Sequence, residues 1–535
     1  MKDRQRILAV ICALGMLISL AGCGGSGTEK NPKEEARSAS TEEAGGKHLN
    51  FSCYQYSNSI DPITNVNASW CGLRYGVTEC LFRFNEKVEV ETAICDSYET
   101  EDFQTWILHI RDGVQFSNGN RVTPTVVKES LDRLYQAEAD KTGNSTPSQY
   151  VTFDSIEADD AAGTVTLVCT GVTVNLPGIL AYPWYAVVDT SVIDTQVIGT
   201  GPYYVTNVEE NSTMDFAKNP YYWDGEVPYD TYRAFLTTDD QGSMKAMALQ
   251  SGDVDLVENI VTASDLEAFK EDPAYYVSTT AGVRLGNTYF NYHGVLENEA
   301  LRQAIQYAVD DETMCNVTVA GLYTAGCSVL PSSLPYGYEK LKDPFVYQVE
   351  KAKEVLDAAG IVDADGDGFR ELHGDKIHLN YLAYSSRNLD DFAQAVAISL
   401  EAIGIQCTVT VQDYDTALAN QSKGNFDLIT SNATVVPTGD PTGFLGNFYS
   451  GNSDTYGYYA NAQYDAAYEE LLTATDKERQ QELILTLQQI LIDDAATLVH
   501  GYYNSTMVSA VDRVTGADIA PIDYYWITTN IAPVQ

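Results

Sequence analysis

Few residues along this chain of 535 are grouped in a way that could bind or transform a ligand. The densest group is Asp363-Ala364-Asp365-Gly366-Asp367-Gly368-Phe369-Arg370-Glu371. Alternate carboxylates around a central glycine present hard oxygen ligands on a tight turn, as a twelve-residue calcium loop does. Asp363, Asp365, Asp367 and Glu371 fill ligand positions, but Gly374 stands where the bidentate glutamate belongs. The expectation is a weak structural calcium site, with a solvated turn as the alternative, and no required cofactor. Asn67, Trp70 and Arg74 form a second group. A guanidinium can pair a ligand carboxylate through two parallel hydrogen bonds, and an indole can stack on a planar group. A surface arginine beside a buried tryptophan is the competing reading. The six histidines show no paired helical or His-Glu-x-x-His spacing, which argues against a tight metal site built by the protein. There is no Gly-x-Ser-x-Gly elbow, phosphate loop or Cys/His pair, so no enzyme is expected.

These residues need elements to position them, and the chain supplies several kinds. Lys2, Arg4 and Arg6 precede an apolar run from Ile7 to Leu20, too short to span a bilayer and suited to a signal peptide over residues 1–22. The run ends in Leu20-Ala21-Gly22-Cys23, which resembles a bacterial lipobox, with Cys23 as the acylated residue holding the protein at the outer face of a membrane. Residues 23–47 are rich in Gly, Ser, Glu and Lys and read as a flexible tether of about 25–30 Å r.m.s. span. The remaining body holds 44% hydrophobic residues overall, enough for two or three globular domains. A net charge of -43 repels nucleic acid and anionic lipid, so neither is an expected partner of the body. Beyond Cys12 and Cys23, eight cysteines match no metal framework, and the question of disulfides stays open.

From His48 to about Phe290, short strands such as Phe51–Tyr54 and Thr164–Val168 alternate with helices, one following Thr123-Pro124 to about Tyr135. From Asn291 the rhythm changes. Leu301, Ala304, Ile305 and Ala308 fall at helical spacing, as do Val349, Ala352, Leu356 and Ala359 before Gly360. Phe392, Val396 and Leu400 mark another helix, followed by the alternating strand Ile405–Val411, and a last helix covers Lys477–Ile492. The strand-helix-strand order predicts an α/β lobe with a largely parallel sheet. Residues 502–535 return to the aromatic, strand-like texture of the first half, which predicts a discontinuous first lobe.

Six segments in order are similar to the peptide- and nickel-binding class of solute-binding proteins of ATP-binding-cassette (ABC) importers. They begin at Trp106–Gly119, Gly199–Tyr203, Asn219–Gly225, Leu249–Leu256, Leu301–Asp310 and Gly321–Tyr323, and the resemblance spans residues 48–535. Most are scaffold: the glycines and prolines set turns, and Trp106, Phe116, Tyr222 and Trp223 read as core aromatics. The resemblance implies an α/β, two-lobed fold of the type II periplasmic-binding-protein kind, with a hinged cleft and an accessory subdomain. Lobe one would comprise 48–75, 190–290 and 505–535, the subdomain 76–189 and lobe two 291–504. It implies a monomer, anchored through Cys23, that passes a peptide to membrane permease subunits, with a nickel–chelate as the alternative ligand. A non-transporting sensor lipoprotein would share the fold. The resemblance makes Asn65–Tyr75, with Asn67, Trp70 and Arg74, a cleft-lining turn, and places Trp184 and Tyr185 at the cleft. Pro437 occupies the position of the amine-anchoring Asp of peptide-binding members, leaving Thr438 and Asp440 nearby. No His lies between His378 and His500, where nickel-binding members carry a direct ligand.

Overall fold

A computed structural model describes residues 46–238, 242–260, 262–452 and 456–535. The predicted signal peptide, Cys23 and nearly all of the tether lie outside these residues. Lys47, the tether's predicted last residue, already belongs to the body: its backbone N–H donates to Asp230 at 2.9 Å.

The first half supplies β1 (His48–Tyr54), α1 (Val66–Arg74), β2 (Cys95–Glu99), β3 (Thr105–Ile110), α2 (Pro124–Asp140), β4 (Phe153–Asp159), β5 (Thr164–Cys169), β6 (Tyr203–Glu209), β7 (Thr213–Lys218), β8 (Thr231–Thr237), α3 (Ser243–Ser251) and β9 (Leu256–Glu258). A long strand, β10 (Tyr275–Phe290), leads to α4 (Glu299–Ala308), β11 (Tyr323–Thr324), α5 (Val349–Ala358), β12 (His378–Ala383), α6 (Leu389–Ala402), β13 (Gln406–Val411), β14 (Leu428–Thr434), α7 (Lys477–Asp493) and a second long strand, β15 (Thr497–Ala510).

One 11-stranded sheet runs β13-β12-β14-β10-β15-β9-β1-β8-β7-β6, with β11 added to β15. The second-half sheet is mixed, not largely parallel. Strand β12 pairs in parallel with β13 and β14, while β10 pairs antiparallel with both β14 and β15. The helical crossovers seen in the sequence do give parallel neighbours; the first long strand, β10, pairs antiparallel with both of its neighbours. Strands β2-β3-β5-β4 form a separate antiparallel sheet that carries α2.

The two long strands link the halves of the sheet. Tyr275–Ala281 pair with Asn504–Ala510 beside β9, and Arg284–Phe290 pair with β14. Between them the register shifts from Ala281↔Asn504 to Leu285↔Tyr502, a bulge of two residues. Gly282 sits in this bulge, where a Cβ would lie 2.9 Å from the Tyr503 carbonyl oxygen. The backbone N–H of Val283 donates to Pro521 O at 3.1 Å, and Val283 O accepts from Val435 N at 2.9 Å, so segments from both halves hold the bulge.

Helix-forming stripes make the core. Leu301, Ile305, Leu356, Phe392, Val396 and Leu400 pack with Leu379 and Tyr381 of β12, each fully buried aliphatic contributing about 1.5–3 kcal/mol. Trp106 and Phe116 are core residues as predicted, 2% and 0% exposed. Tyr222 and Trp223 are only half-buried, and the Trp223 indole N–H donates to Glu79 at 2.8 Å. Residues Asn65–Tyr75 form a helix and not a turn: Asn65 is extended, and its side chain accepts from Ala68 N at 2.9 Å, capping α1.

Candidate functional site

Helix spacing puts Asn67, Trp70 and Arg74 on one face of α1. Arg74 is fully buried and donates from Nη2 to Asp523 Oδ2 at 2.7 Å and from Nε to Asp523 O at 2.8 Å. Its guanidinium carbon lies 4.3 Å from the Trp526 ring centroid, 4.7 Å from Tyr56 and 5.0 Å from Trp70, a cation held among π faces. Arg284, just past the bulge in β10, stacks 5.3 Å from Trp70, with Nε 3.8 Å from Asp523 Oδ2. Arg387 precedes α6 in the left-handed region (φ 54°), its carbonyl held by the Tyr323 hydroxyl at 2.9 Å and its guanidinium 5.5 Å from the Tyr503 ring. A non-glycine residue there is a strained position of the kind concentrated at ligand sites.

One carboxylate therefore faces three guanidinium groups contributed by α1, β10 and the approach to α6. Burial by itself would raise the Asp523 pKa; Arg74, Arg284 and Arg387 instead hold it down to about 2. Burial pulls the Arg284 pKa down, with Asp523 opposing. Burial also pushes the Tyr56 hydroxyl up, keeping it protonated.

The same wall gathers buried polar atoms that lack a partner. They are Trp70 Nε1, Arg74 Nη1, Arg284 Nε and Nη2, Thr434 Oγ1 and Asn432 Oδ1. Thr434 lies directly opposite Arg284 in the sheet register, and Asn432 opposite Gly286, so these side chains share a face. Glu258, at the end of β9, accepts at Oε1 from Tyr54 N at 2.7 Å and from Lys245 Nζ at 2.9 Å, while its buried Oε2 is unpaired. Each unmet buried group costs about 1–3 kcal/mol, so this concentration makes the wall the candidate site. Donors next to surplus positive charge suit carboxylate oxygens.

The other sequence candidates lie around this cluster. Asn67 is half-buried at the start of α1. Trp184 is buried edge-on to Tyr182 at 5.1 Å, and Tyr524 continues the aromatic chain, 6.0 Å from Tyr182 and 5.8 Å from Trp70. Tyr185 is a packing residue whose hydroxyl donates to Pro147 O at 2.9 Å. The Thr438 carbonyl accepts from Asn175 Nδ2 at 3.0 Å, tying its loop to the first half. Asp440 accepts from Thr442 N at 2.8 Å; burial raises its pKa. No contact joins Thr438 or Asp440 to the arginines. Sequence reading missed Arg284, Arg387, Asp523 and Glu258. A signal was present for two of them: Arg284 interrupts an apolar strand between Gly282 and Gly286, and Asp523 adjoins Tyr524-Tyr525-Trp526. A charge inside such a run must be paired.

Two further features are separate. In the acidic loop, Asp363, Asp365 and Glu371 can bring carboxylate oxygens within 4.8 Å of one another, but Asp367 pairs with Lys376, whose ammonium also lies 3.1 Å from Asp365. A cavity of about 710 Å³ beside α4, α7 and β15 is lined by Asp310, Asp311 and Asn504. There Asp310 caps Thr313 N at 3.0 Å, Asp311 meets His500 Nδ1 at 3.0 Å and Asn504 holds Gly321 O at 2.8 Å, so these three side chains already have partners. The eight described cysteines are all free thiols.

Residues 89–456 match the model of bacterial extracellular solute-binding proteins, family 5. The chain belongs to family 5. The nickel-binding protein NikA of Staphylococcus aureus is 23% identical over 491 residues, 90% of this chain and 93% of that protein. The dipeptide-binding protein DppE of Bacillus subtilis is 23% identical over 572 residues, 99% and 100% of the two chains. Among solved structures, NikA from Brucella suis in complex with Fe(III)-EDTA superposes with a TM-score of 0.81 at 21% identity, covering 91% of this chain and all of that one. DppA from Helicobacter pylori in complex with the peptide STSA gives a TM-score of 0.72 at 19% identity, covering 91% and 98%. The fold is thus the type II periplasmic-binding-protein fold, and the family 5 chain is a solute-binding protein of an importer system, not an enzyme. Family 5 proteins work outside the cytoplasm. Among the described residues no helix is long and apolar enough to cross a membrane.

Proposed function

We propose that this family 5 protein is a lipid-anchored receptor that captures a small carboxylate-bearing solute between its lobes and delivers it to ABC permease subunits. The unpaired donors of Arg74, Arg284 and Trp70 carry the reading, because a carboxylate placed between them satisfies groups the fold leaves buried and unmet. A peptide supplies such a group at its carboxyl terminus. The nickel–chelate reading is favoured by a different observation: Pro437 leaves no carboxylate where peptide-binding members anchor an amine, and Asp440 is committed to Thr442. Lobe one (48–75, 190–290, 505–535) and lobe two (291–504) would close by bending at the Gly282 bulge, with 76–189 as the accessory subdomain. Signal cleavage before Cys23, acylation of Cys23 and the tether would keep the receptor beside its permease. Asp363, Asp365 and Glu371 would hold calcium weakly, in competition with Lys376.

The test is thermal melting of the full chain with di- to hexapeptide pools, and with nickel in the presence and absence of histidine. A ligand at a hundred times its Kd adds about 2.7 kcal/mol. A shift with peptides alone supports the peptide receptor; a shift with nickel–histidine alone makes it a chelate receptor. No shift with any pool in the full chain, together with normal uptake in a deletion strain, defeats both readings.

A further inference from the structure

The charge around the cleft restricts what can occupy it, given the proposed reading of this cleft as the ligand site. The ionised groups of the wall are Arg74, Arg284, Arg387, Asp523, Lys245 and Glu258. Lys245 and Glu258 neutralise one another at 2.9 Å. Asp523 neutralises one guanidinium, Arg74, through two hydrogen bonds from its side chain to the carboxylate and the backbone. Arg284 approaches that carboxylate only to 3.8 Å, outside hydrogen-bond range. The guanidinium of Arg387 reaches Ser386 Oγ at 3.4 Å and lies against Tyr503. Among the described residues the wall therefore carries an excess of two positive charges, with Arg74 fully buried, Arg284 8% exposed and Arg387 half-buried. Desolvated charge of one sign is costly until matched. The unmet N–H groups of Arg74 and Arg284 both flank the Trp70 ring, which fixes where the matching groups must sit.

We infer that the ligand brings two net negative charges into the cleft, as carboxylates that accept from the unmet N–H groups of Arg74 and Arg284 across the face of Trp70 and offset the excess charge of Arg284 and Arg387, and that a solute of zero net charge is not the cargo. An acidic dipeptide and a metal ion held by a polycarboxylate chelator share this chemistry, and the test separates them.

Calorimetric titration of the full chain uses two matched pairs: Glu-Glu against Ala-Ala, and the Ni(II)–EDTA complex against nickel bis-histidine. The first member of each pair carries two net negative charges and the second is neutral. The expected result is binding at least tenfold tighter for the charged member of one pair, which identifies the source. Arg284→Gln and Arg387→Gln are each expected to shrink that preference, and Trp70→Ala to weaken binding of the preferred probe, placing it in this cleft. Equal or tighter binding of the neutral member in both pairs overturns the charge requirement while leaving the cleft reading intact. Failure of all four probes to bind, or binding indifferent to Trp70→Ala, overturns the cleft reading and the inference with it.

Discussion

Replacing Asp523 by Asn removes the carboxylate that faces three guanidinium groups. Arg74 keeps its backbone bond to residue 523 but loses its counter-ion, and Arg284 and Arg387 lose the charge that tempers their repulsion. The native pKa of about 2, against an ordinary carboxylate near 3.9, corresponds to about 2.5 kcal/mol of stabilisation at neutral pH. Stranding a buried partner raises the cost to about 3–5 kcal/mol. A body spanning Lys47–Gln535 has an unfolding entropy of about 1 kcal/mol per kelvin, so Asp523→Asn is expected to melt about 3–5 °C lower at pH 7. The pH dependence carries a definite sign. Because the folded pKa is depressed, the contribution is complete above the unfolded value and disappears as pH falls through the folded one. The gap between wild type and variant should therefore narrow by about 1.2 kcal/mol near pH 3, half of the charge-linked contribution. Scanning calorimetry on both proteins at pH 7 and pH 3 measures it. Equal melting points at pH 7, or a gap unchanged at pH 3, would refute the account of Asp523 as the counter-charge of the cluster.

Four other outcomes follow from the same geometry. Trp70→Ala removes the face on which Arg74 and Arg284 stack and should weaken ligand binding at least tenfold by calorimetry, a loss of about 1.4 kcal/mol or more. Burial raises the Glu79 pKa to about 7, against its hydrogen bonds from Thr200 and Trp223, so its contribution to stability is complete below about pH 4.5 and lost as pH rises to 7. Glu79→Gln should accordingly match wild type at pH 4.5 and melt higher at pH 8; the same offset at both pH values would contradict this. Lys376→Ala frees Asp365 and Asp367, so calcium should raise the variant's melting point more than the wild type's, and a smaller calcium shift in the variant would count against the loop. Gly282→Val places a branched side chain against the Tyr503 carbonyl and should cost about 1–3 kcal/mol in urea unfolding; unchanged stability would mean the bulge yields freely.

Much of the fold could be read from local pattern, and the site could not. The stripes at Leu301, Val349 and Phe392 became α4, α5 and α6, and Gly360 and Gly404 end two of them at positive φ. The helix expected to reach Tyr135 runs to Asp140, because Gln136–Asp140 is polar sequence that tolerates a helix until Lys141 turns left-handed. Periodicity reports which face of an element is buried, and it was adequate there. It does not report which distant strands pair, so the antiparallel partners of β10 escaped it. Asn67, Trp70 and Arg74 were legible as a set because helix geometry aligns neighbours three and four apart. Their partners Arg284, Arg387 and Asp523 come from three distant segments and meet only through the sheet order. The expectation that Arg74 faces a ligand with its whole fork ignored Asp523, which takes two of its N–H groups and leaves Nη1.

The bond between Arg74 and Asp523 joins positions 449 apart in sequence. Closing a loop of that length costs about 5 kcal/mol in chain entropy beyond the constant part. Strand β15, which joins β9 to β10, also arrives late, so neither half of the main sheet has all its neighbours until the chain has passed Ala510. During synthesis or export with the amino end leading, α1 emerges long before its counter-ion, and Arg74 has no reason to leave water. The arginine wall is consequently completed only once the last residues of the chain are present, and a chain interrupted before Asp523 keeps the aromatic face of α1 without the charge that allows it to be buried.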